Sequence, residues 1–335
     1  MREQGDVTRY LQAAALLPPH LRRQAEGLDK SSQAVAEELR LRAGRPMSVV
    51  CPTGERPLPG GEPVSPADLS LVVEIATRAS AHTAMERMRS GFFTVPGGHR
   101  IGICGSAVVK DGAVFNLRQL SSLAIRIARE VPGAAAAVAD RLWEGDRFQS
   151  TLILSPPGGG KTTLLRDLIR RLSDGTGHPP LRVGVADERG ELAASWEGIP
   201  QNDLGPCCDV LTGWPKAQGM LAGIRALSPQ VVICDEIGGG EEAQAVAQCL
   251  GCGVQVVAAI HGESLEELWT RPQSRRLLAT GAFSKGVLLA GKGRPGEILT
   301  IKDVTNDETS GNRHDRGLHG GPWPAAGLPD VRPCG

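Results

Sequence analysis

The stretch that most constrains this chain is Thr151 to Leu172, TLILSPPGGGKTTLLRDLIRRL. Its first four residues are an apolar, β-favouring run, and the prolines and glycines that follow cannot continue a strand. From Lys161 onward the apolar residues fall at Leu164, Leu165, Leu168, Ile169 and Leu172, the spacing of one helix face. Strand, glycine loop and a helix opening on Lys-Thr-Thr predict a phosphate-binding P-loop. Its nucleotide-binding set is Ser155, Pro156, Pro157, Gly158, Gly159, Gly160, Lys161, Thr162 and Thr163. Glycines let successive N–H groups turn onto one anion, and the helix N-terminus adds about half a positive charge. Lys161 can reach the β- and γ-phosphates, and the Thr162 hydroxyl is placed to ligate Mg²⁺. The usual pattern has glycine at the first loop position, where this chain has Ser155.

Charge and aromatic content narrow the partners. Lys+Arg and Asp+Glu each total 37 in 335 residues, so the chain has no net charge to drive bulk binding of nucleic acid. Aromatic residues are 3% of the chain, with a single tyrosine, and no base-stacking platform is evident. No direct nucleic-acid partner is expected. No apolar run approaches the roughly 18 residues of a membrane helix, and the first residues lack the core of a signal peptide. A cytoplasmic protein without direct membrane insertion is expected. Of eight cysteines, Cys249 and Cys252 have metal-knuckle spacing, but no second pair accompanies them, and small buried thiols are the favoured reading.

Patterning divides the chain into a small α+β domain over residues 1–131, a P-loop domain over 132–302 and a disordered tail over 303–335. In the first, helical runs are broken at Pro18-Pro19, Glu38–Arg42 alternates as a half-buried strand, and MSVVC makes a second. Ser65-Pro66 starts a helix expected to stop at Ser90-Gly91, and Asp111-Gly112 turns a hairpin. From Thr151, apolar strands at 151–154, 181–186, 231–235 and 254–260 alternate with helices, which predicts a mostly parallel α/β sheet. Helices are expected near 216–227 and 241–250, with another capped by Ser264-x-x-Glu267, and strands 286–290 and 297–302 close the sheet or form an edge hairpin.

Ligands of such sheets sit at the carboxyl ends of the strands. Val231 to Cys234 lead into Asp235, suited to a Mg²⁺ contact, and Glu236, suited to activating an attacking water. Asp187 and Glu188 end another strand; they either orient the waters of Mg²⁺, bridge to a neighbouring subunit or belong to a charged surface loop. His261 ends a third strand, where a γ-phosphate sensor would sit. Arg126 and Arg129 precede the P-loop domain and are candidates to reach a phosphate in their own subunit or the next, the alternative being a solvated basic strand. Arg100 is a further candidate of that kind.

The segments EELRLRAGRPM, GGHRIGICG, RQLSSLAIRIARE, SPPGGGKTTLLRDLIR, ADERGEL, GIPQNDLGPCCDVLTGWPKAQGM, IRALSPQVVICDEIG and HGESLEELWTRP resemble the stage III sporulation protein AA family in order and spacing. The resemblance covers roughly residues 36–302. It implies a Mg²⁺-dependent ATPase with a RecA-like α/β domain behind the smaller N-terminal one, similar to the traffic ATPases of type II and type IV secretion, with ATP bound between the subunits of a ring, expected to be a hexamer. It also implies membrane-protein partners in a sporulation channel, and a place on the mother-cell side of the forespore membrane. Lys161, Thr162, Asp235 and Glu236 match the family's nucleotide-site motifs, and His261 matches the histidine motif of the traffic ATPases. Besides Ser155, the chain departs from the family in having Gly239 and Gly240 where a charged residue follows Asp-Glu-Ile-Gly. A nucleic-acid-stimulated ATPase and a slowly hydrolysing assembly scaffold are the competing readings.

Overall fold

Alternation in Glu-Leu-Arg-Leu-Arg decides which face of its strand is covered: Leu39 and Leu41 are fully buried, while the residues between them keep part of their exposure. The structure, a computed structural model, describes residues 2–78, 91–110 and 112–304. Residues through 305 form one compact unit. Helices α1 (Arg2–Ala14), α2 (Pro19–Glu26) and α3 (Lys30–Val35) come first, with the break at Pro18 that the sequence predicts. Strands β1 (Glu38–Arg42), β2 (Ser48–Cys51) and β3 (Gly54–Pro57) follow, then α4 (Pro66–Ala76), β4 (Phe92–Thr94), β5 (Arg100–Lys110) and β6 (Ala113–Arg126).

These six strands make one antiparallel sheet in the order β3-β2-β1-β6-β5-β4. Helix α4 starts as expected: the Ser65 side chain accepts the Asp68 N–H and the Asp68 carboxylate accepts the Ser65 N–H. It ends at Ala76, and its expected continuation over 79–90 lies outside the described residues. Lys110 pairs with Ala113, so two residues connect β5 to β6; Asp111 of that expected turn lies outside the described residues. Tyr10, Leu21, Leu69, Val72, Ile101 and Ile125 belong to the core that this sheet shares with its helices.

The second sheet is built differently. After a short α5 (Ala136–Ala139) and the two-residue strands β7 (Trp143–Glu144) and β8 (Arg147–Phe148) come β9 (Thr151–Ser155), α6 (Lys161–Asp174), β10 (Val183–Asp187), β11 (Cys208–Thr212), α7 (Lys216–Leu227), β12 (Val231–Glu236), α8 (Gly240–Gly251) and β13 (Gln255–His261). Short helices α9 (Glu267–Thr270) and α10 (Pro272–Ala279) and the hairpin β14 (Lys285–Leu289) and β15 (Ile298–Asp303) complete it. The strand order is β11-β10-β12-β13-β9-β14-β15, parallel up to β14, with β15 antiparallel at the edge.

All five residues of β9 and of β10 are buried because helices cover both faces. Leu164, Leu165 and Leu168 of α6 pack with Ile153 on one face, while Val246 of α8 and Leu277 of α10 share the other with Leu152 and Leu154. The last two strands close the sheet and form its edge hairpin. Asp303 belongs to β15 and Val304 is 2% exposed, so the ordered chain runs two residues past the boundary expected at 302; the expected tail from 305 onward lies outside the described residues. The helix expected to be capped at Ser264 begins instead at Glu267. The Glu267 carboxylate accepts the N–H of Glu263, 3.1 Å away, and pairs with Arg271, so the reciprocal cap does not form.

Between the two sheets, His99 is fully buried and its Nδ1 accepts the Ala128 N–H at 3.1 Å. Burial, reinforced by the Arg9 charge, lowers its pKa from 6.5 to about 4. The folded state therefore binds fewer protons at this ring than the unfolded chain. Its contribution is full above pH 6.5, is lost as pH falls from 6.5 towards 4, and is flat below that. We expect this one ring to remove roughly 3 kcal/mol of stability across that window. Urea unfolding at stepped pH checks it: His99→Gln, which keeps an acceptor for Ala128 but does not titrate, should show a shallower slope.

Candidate functional site

Parallel register brings the strand ends together. Ser155 of β9 is the Cα partner of His261 of β13, and β12 ends beside β13 at Glu236. On β12 the pairing slips, since Cys234 faces Ala258 and Glu236 faces Ala259, which makes Asp235 the extra residue of a β-bulge. Bulges re-aim side chains. Here two adjacent carboxylates end the strand, with the Asp235 side chain 9% exposed and that of Glu236 44% exposed.

The loop itself is ready for an anion. Gly160 caps α6 at φ +90° with no side-chain hydrogen bond, and the first turn of the helix holds no acid. The N–H groups of that turn have no intrahelical acceptors, and a helix N-terminus of this kind favours an anion. A Cβ at Gly159 would stand 1.8 Å from Ser155 Oγ and 2.5 Å from the Ala290 carbonyl oxygen. The serine in place of the usual first glycine is thus accommodated by the missing side chain at 159, and its hydroxyl donates to the Pro156 carbonyl at 2.7 Å. The loop joining β14 to β15 lies on top: the Gly296 N–H donates to the Gly159 carbonyl at 2.9 Å, and the Lys292 side chain runs along Gly158. Lys292 is exposed and is a cation beside the P-loop that sequence reasoning missed; its only signal was the glycine-rich, basic run GKGRPG.

The Lys161 ammonium donates to the Ser155 carbonyl at 2.9 Å and stands 3.1 Å from His261 Nδ1. An ammonium has donors only, so Nδ1 accepts and the ring proton sits on Nε2. Nε2 lies 3.3 Å from Glu236 Oε1. His261 therefore bridges the phosphate-reaching lysine and the exposed carboxylate. Burial holds Lys161 below the ordinary lysine range, and the Glu236 charge acts the other way.

On the far side of the acidic pair stands Lys216, the first residue of α7 and a second residue that sequence reasoning missed. Its Nζ is 3.0 Å from Asp235 Oδ1 and 4.0 Å from Glu188 Oε2, and it donates to the Glu236 carbonyl. The contact with Asp235 is close without being aligned as a hydrogen bond, and Oδ1 stays without a hydrogen-bond partner although buried. That orphaned oxygen, together with a Thr162 hydroxyl that makes no hydrogen bond among the described residues, suits a divalent ion. Among those residues no group of three or more His, Cys, Asp or Glu side chains is placed to hold a metal by itself. Cys249 is buried, its thiol pushed up to about 12 by desolvation, while Cys252 is exposed.

Three other candidates are engaged within the fold itself. Asp187 is fully buried and accepts the N–H groups of Glu191 (2.8 Å), Leu192 (3.1 Å) and Ala193 (2.8 Å). Burial raises its pKa against the pull of those donors. It anchors the loop 188–207, which carries Trp196 into the core of the first sheet. Arg129 is tied to its own N-terminal region, donating to the carbonyls of Ala34 and Ala36 and pairing with Asp6 at 2.8 Å, and it also lines the small cleft beside Thr163. Arg100 stacks over Phe92 and pairs with Glu191 at 3.3 Å. Arg126, in contrast, is exposed at the end of β6.

Asp187→Ala would strand two buried N–H groups and a partly buried one, each buried group costing about 1–3 kcal/mol. We expect roughly 3–5 kcal/mol of destabilisation in chemical unfolding, near the upper end for a single substitution.

This is the fold of P-loop ATPases. The ATPase DotB of Legionella pneumophila superposes with a TM-score of 0.55 at 15% identity, covering 81% of this chain and 76% of that one. The pilus retraction motor PilT, solved with bound ADP, superposes with a TM-score of 0.52 at 13% identity, over 76% of this chain and 74% of that one. The chain belongs to the family described as "Sporulation stage III, protein AA", whose profile matches residues 8–308. It is similar to Stage III sporulation protein AA of Bacillus subtilis strain 168, with 35% identity over 297 residues, 87% of this chain and 94% of that protein. Among the described residues no helix is long and apolar enough to cross a membrane.

Proposed function

We propose that the chain is a Mg²⁺-dependent ATPase that works as a ring, a hexamer, and energises a membrane channel complex of sporulation. The observation that carries the reading is the continuous path from Lys161 through His261 to Glu236, laid across an uncapped helix N-terminus. The ADP in PilT and the family of the chain support the choice of nucleotide. Thr162 and Asp235 would hold Mg²⁺, which supplies neutralising charge to the phosphates when bound.

The remaining chemistry belongs to side chains. Lys161 swings from the Ser155 carbonyl to a phosphate oxygen, and Lys292 adds a second cation from above. Glu236 accepts the proton of the attacking water, aimed by the Nε2–H of His261. The cleft beside Thr163, lined by Arg129, Glu130, Arg166 and Asn202, lies next to the phosphate site and adds cations to its rim. Arg126 is the cation free to meet the phosphates of a neighbouring subunit, and Glu188 lines the same edge. Movement passes through the loop 188–207 to a first domain, residues 1–131, and the second domain, 132–302, does the chemistry. Association with a membrane on the mother-cell side comes through partner proteins.

The test is one sample measured twice. Light scattering with and without a slowly hydrolysed ATP analogue should show a nucleotide-stabilised ring, and the same sample should release phosphate only with Mg²⁺. A monomer with tight nucleotide binding and no turnover would support a scaffold instead, and turnover that depends on added DNA or RNA would support a nucleic-acid-stimulated enzyme.

A further inference from the structure

The position of Lys216 is unfavourable by itself. It opens α7, where a cation opposes the helix dipole, no acid accompanies it in the first turn of its helix, and its side chain is only 8% exposed. A buried ammonium needs partners. Those it has are Asp235 Oδ1, Glu188 Oε2 and the Glu236 carbonyl, which belong to the carboxyl ends of β10 and β12 and the loop that follows β10.

Asp235 is in the same position from the other side. Its side chain is 9% exposed, and among the described residues Lys216 is the cation that meets it. Oδ1 has one cation at 3.0 Å and no aligned hydrogen bond, so its lone pairs remain available for a better ligand. A divalent ion and an ammonium cannot both sit within bonding distance of one carboxylate oxygen without strong mutual repulsion. They must exchange.

We propose that Lys216 is the resident counter-cation of Asp235 in the metal-free state, displaced when a divalent ion arrives with nucleotide, and that its bond to the Glu236 carbonyl makes it the positioning residue for that carboxylate. The proposal rests on the ATPase reading above. Lys216 keeps a buried carboxylate compensated while the site waits for substrate. Its release frees the start of α7, so occupancy of the metal position is felt by a helix that touches no phosphate. The bond to the carbonyl holds the bulged end of β12, and with it the direction of Glu236 towards His261.

Manganese is the probe. The full chain is titrated with Mn²⁺ by electron paramagnetic resonance in the presence of a slowly hydrolysed ATP analogue, comparing the unaltered protein with Lys216→Met, which keeps the aliphatic stem, and Lys216→Arg, which keeps the charge. Removing the competitor should tighten Mn²⁺ binding about fivefold or more in Lys216→Met, while Lys216→Arg stays within about threefold. Loss of positioning should lower kcat about tenfold in Lys216→Met with KM changed less than about threefold. Unchanged or weaker Mn²⁺ binding in Lys216→Met overturns the proposal.

A second measurement covers the case in which that variant does not fold. In the unaltered chain, acetylation of Lys216 read by mass spectrometry should rise when Mn²⁺ and the analogue are added together and not with the analogue alone; unchanged protection overturns the proposal. No Mn²⁺–nucleotide binding by the unaltered protein sinks the ATPase reading and this proposal together, whereas normal binding with no difference in Lys216→Met sinks this proposal alone.

Discussion

Glu236→Gln is expected to lower turnover about 10²–10³-fold while leaving nucleotide affinity within about threefold, the signature of a lost proton acceptor. The substitution keeps volume and leaves an oxygen facing His261 Nε2, 3.3 Å away in the unaltered protein. What it removes is the ability to take the proton of an attacking water. The Glu236 side chain is 44% exposed, so it can meet a water in the open site, whereas that of Asp235, at 9%, cannot do so without moving. Single-turnover phosphate release and binding of a fluorescent ATP analogue measure the two halves separately. A loss of less than about tenfold in turnover would remove Glu236 from the catalytic role.

Lys161→Met should weaken nucleotide binding about 10²–10³-fold, since it deletes a partly desolvated cation from a polyanion. Stability should change by no more than about 1 kcal/mol, because water can take over the two loop carbonyls that the ammonium now holds. The same ammonium faces His261 Nδ1, so its loss also frees the ring that aims Glu236. The double variant Lys161→Met/Glu236→Gln should therefore lose less in kcat/KM than the sum of the two single losses, the behaviour of residues that share a partner. Calorimetric titration with ATP, followed by the rate cycle, distinguishes this from two independent roles. Full additivity would mean that His261 does not couple them.

Much of this site was legible in the order of residues. The P-loop announces itself because its physics is local: the turn needs glycines, and the cradle is the N-terminus of the helix that follows directly. The carboxylates at 235 and 236 follow from a buried strand that must end in something polar, and His261 from the same logic one strand over. For Asp187 the same grounds left a metal-water role, a subunit bridge and a surface loop open, and its part as a loop anchor was not among them. The pattern of apolar run then acid is the same in both, and the difference lies in where the next six residues turn, which brings three N–H groups onto one carboxylate and none onto the other. The N-terminal partners of Arg129 were out of view for a related reason. Its partners are carbonyls at positions 34 and 36, more than 90 residues earlier in the chain.

Short-range chemistry in the chain was enough to specify a phosphate-gripping strand–loop–helix, the two-layer covering of a parallel sheet, and which residues end its strands, because periodicity, glycine freedom and capping act over a few residues. Folding alone settled which cation meets which anion. Lys216 is 19 positions before Asp235, and Lys292 is more than 130 beyond Gly158; a glycine-rich, basic run around Lys292 is the one local sign, and it does not say which loop that lysine meets. They reach the site because parallel strand register and the β14–β15 hairpin bring distant helix and loop ends to one edge, and electrostatic pairing depends on distance in space, to which spacing along the chain is blind.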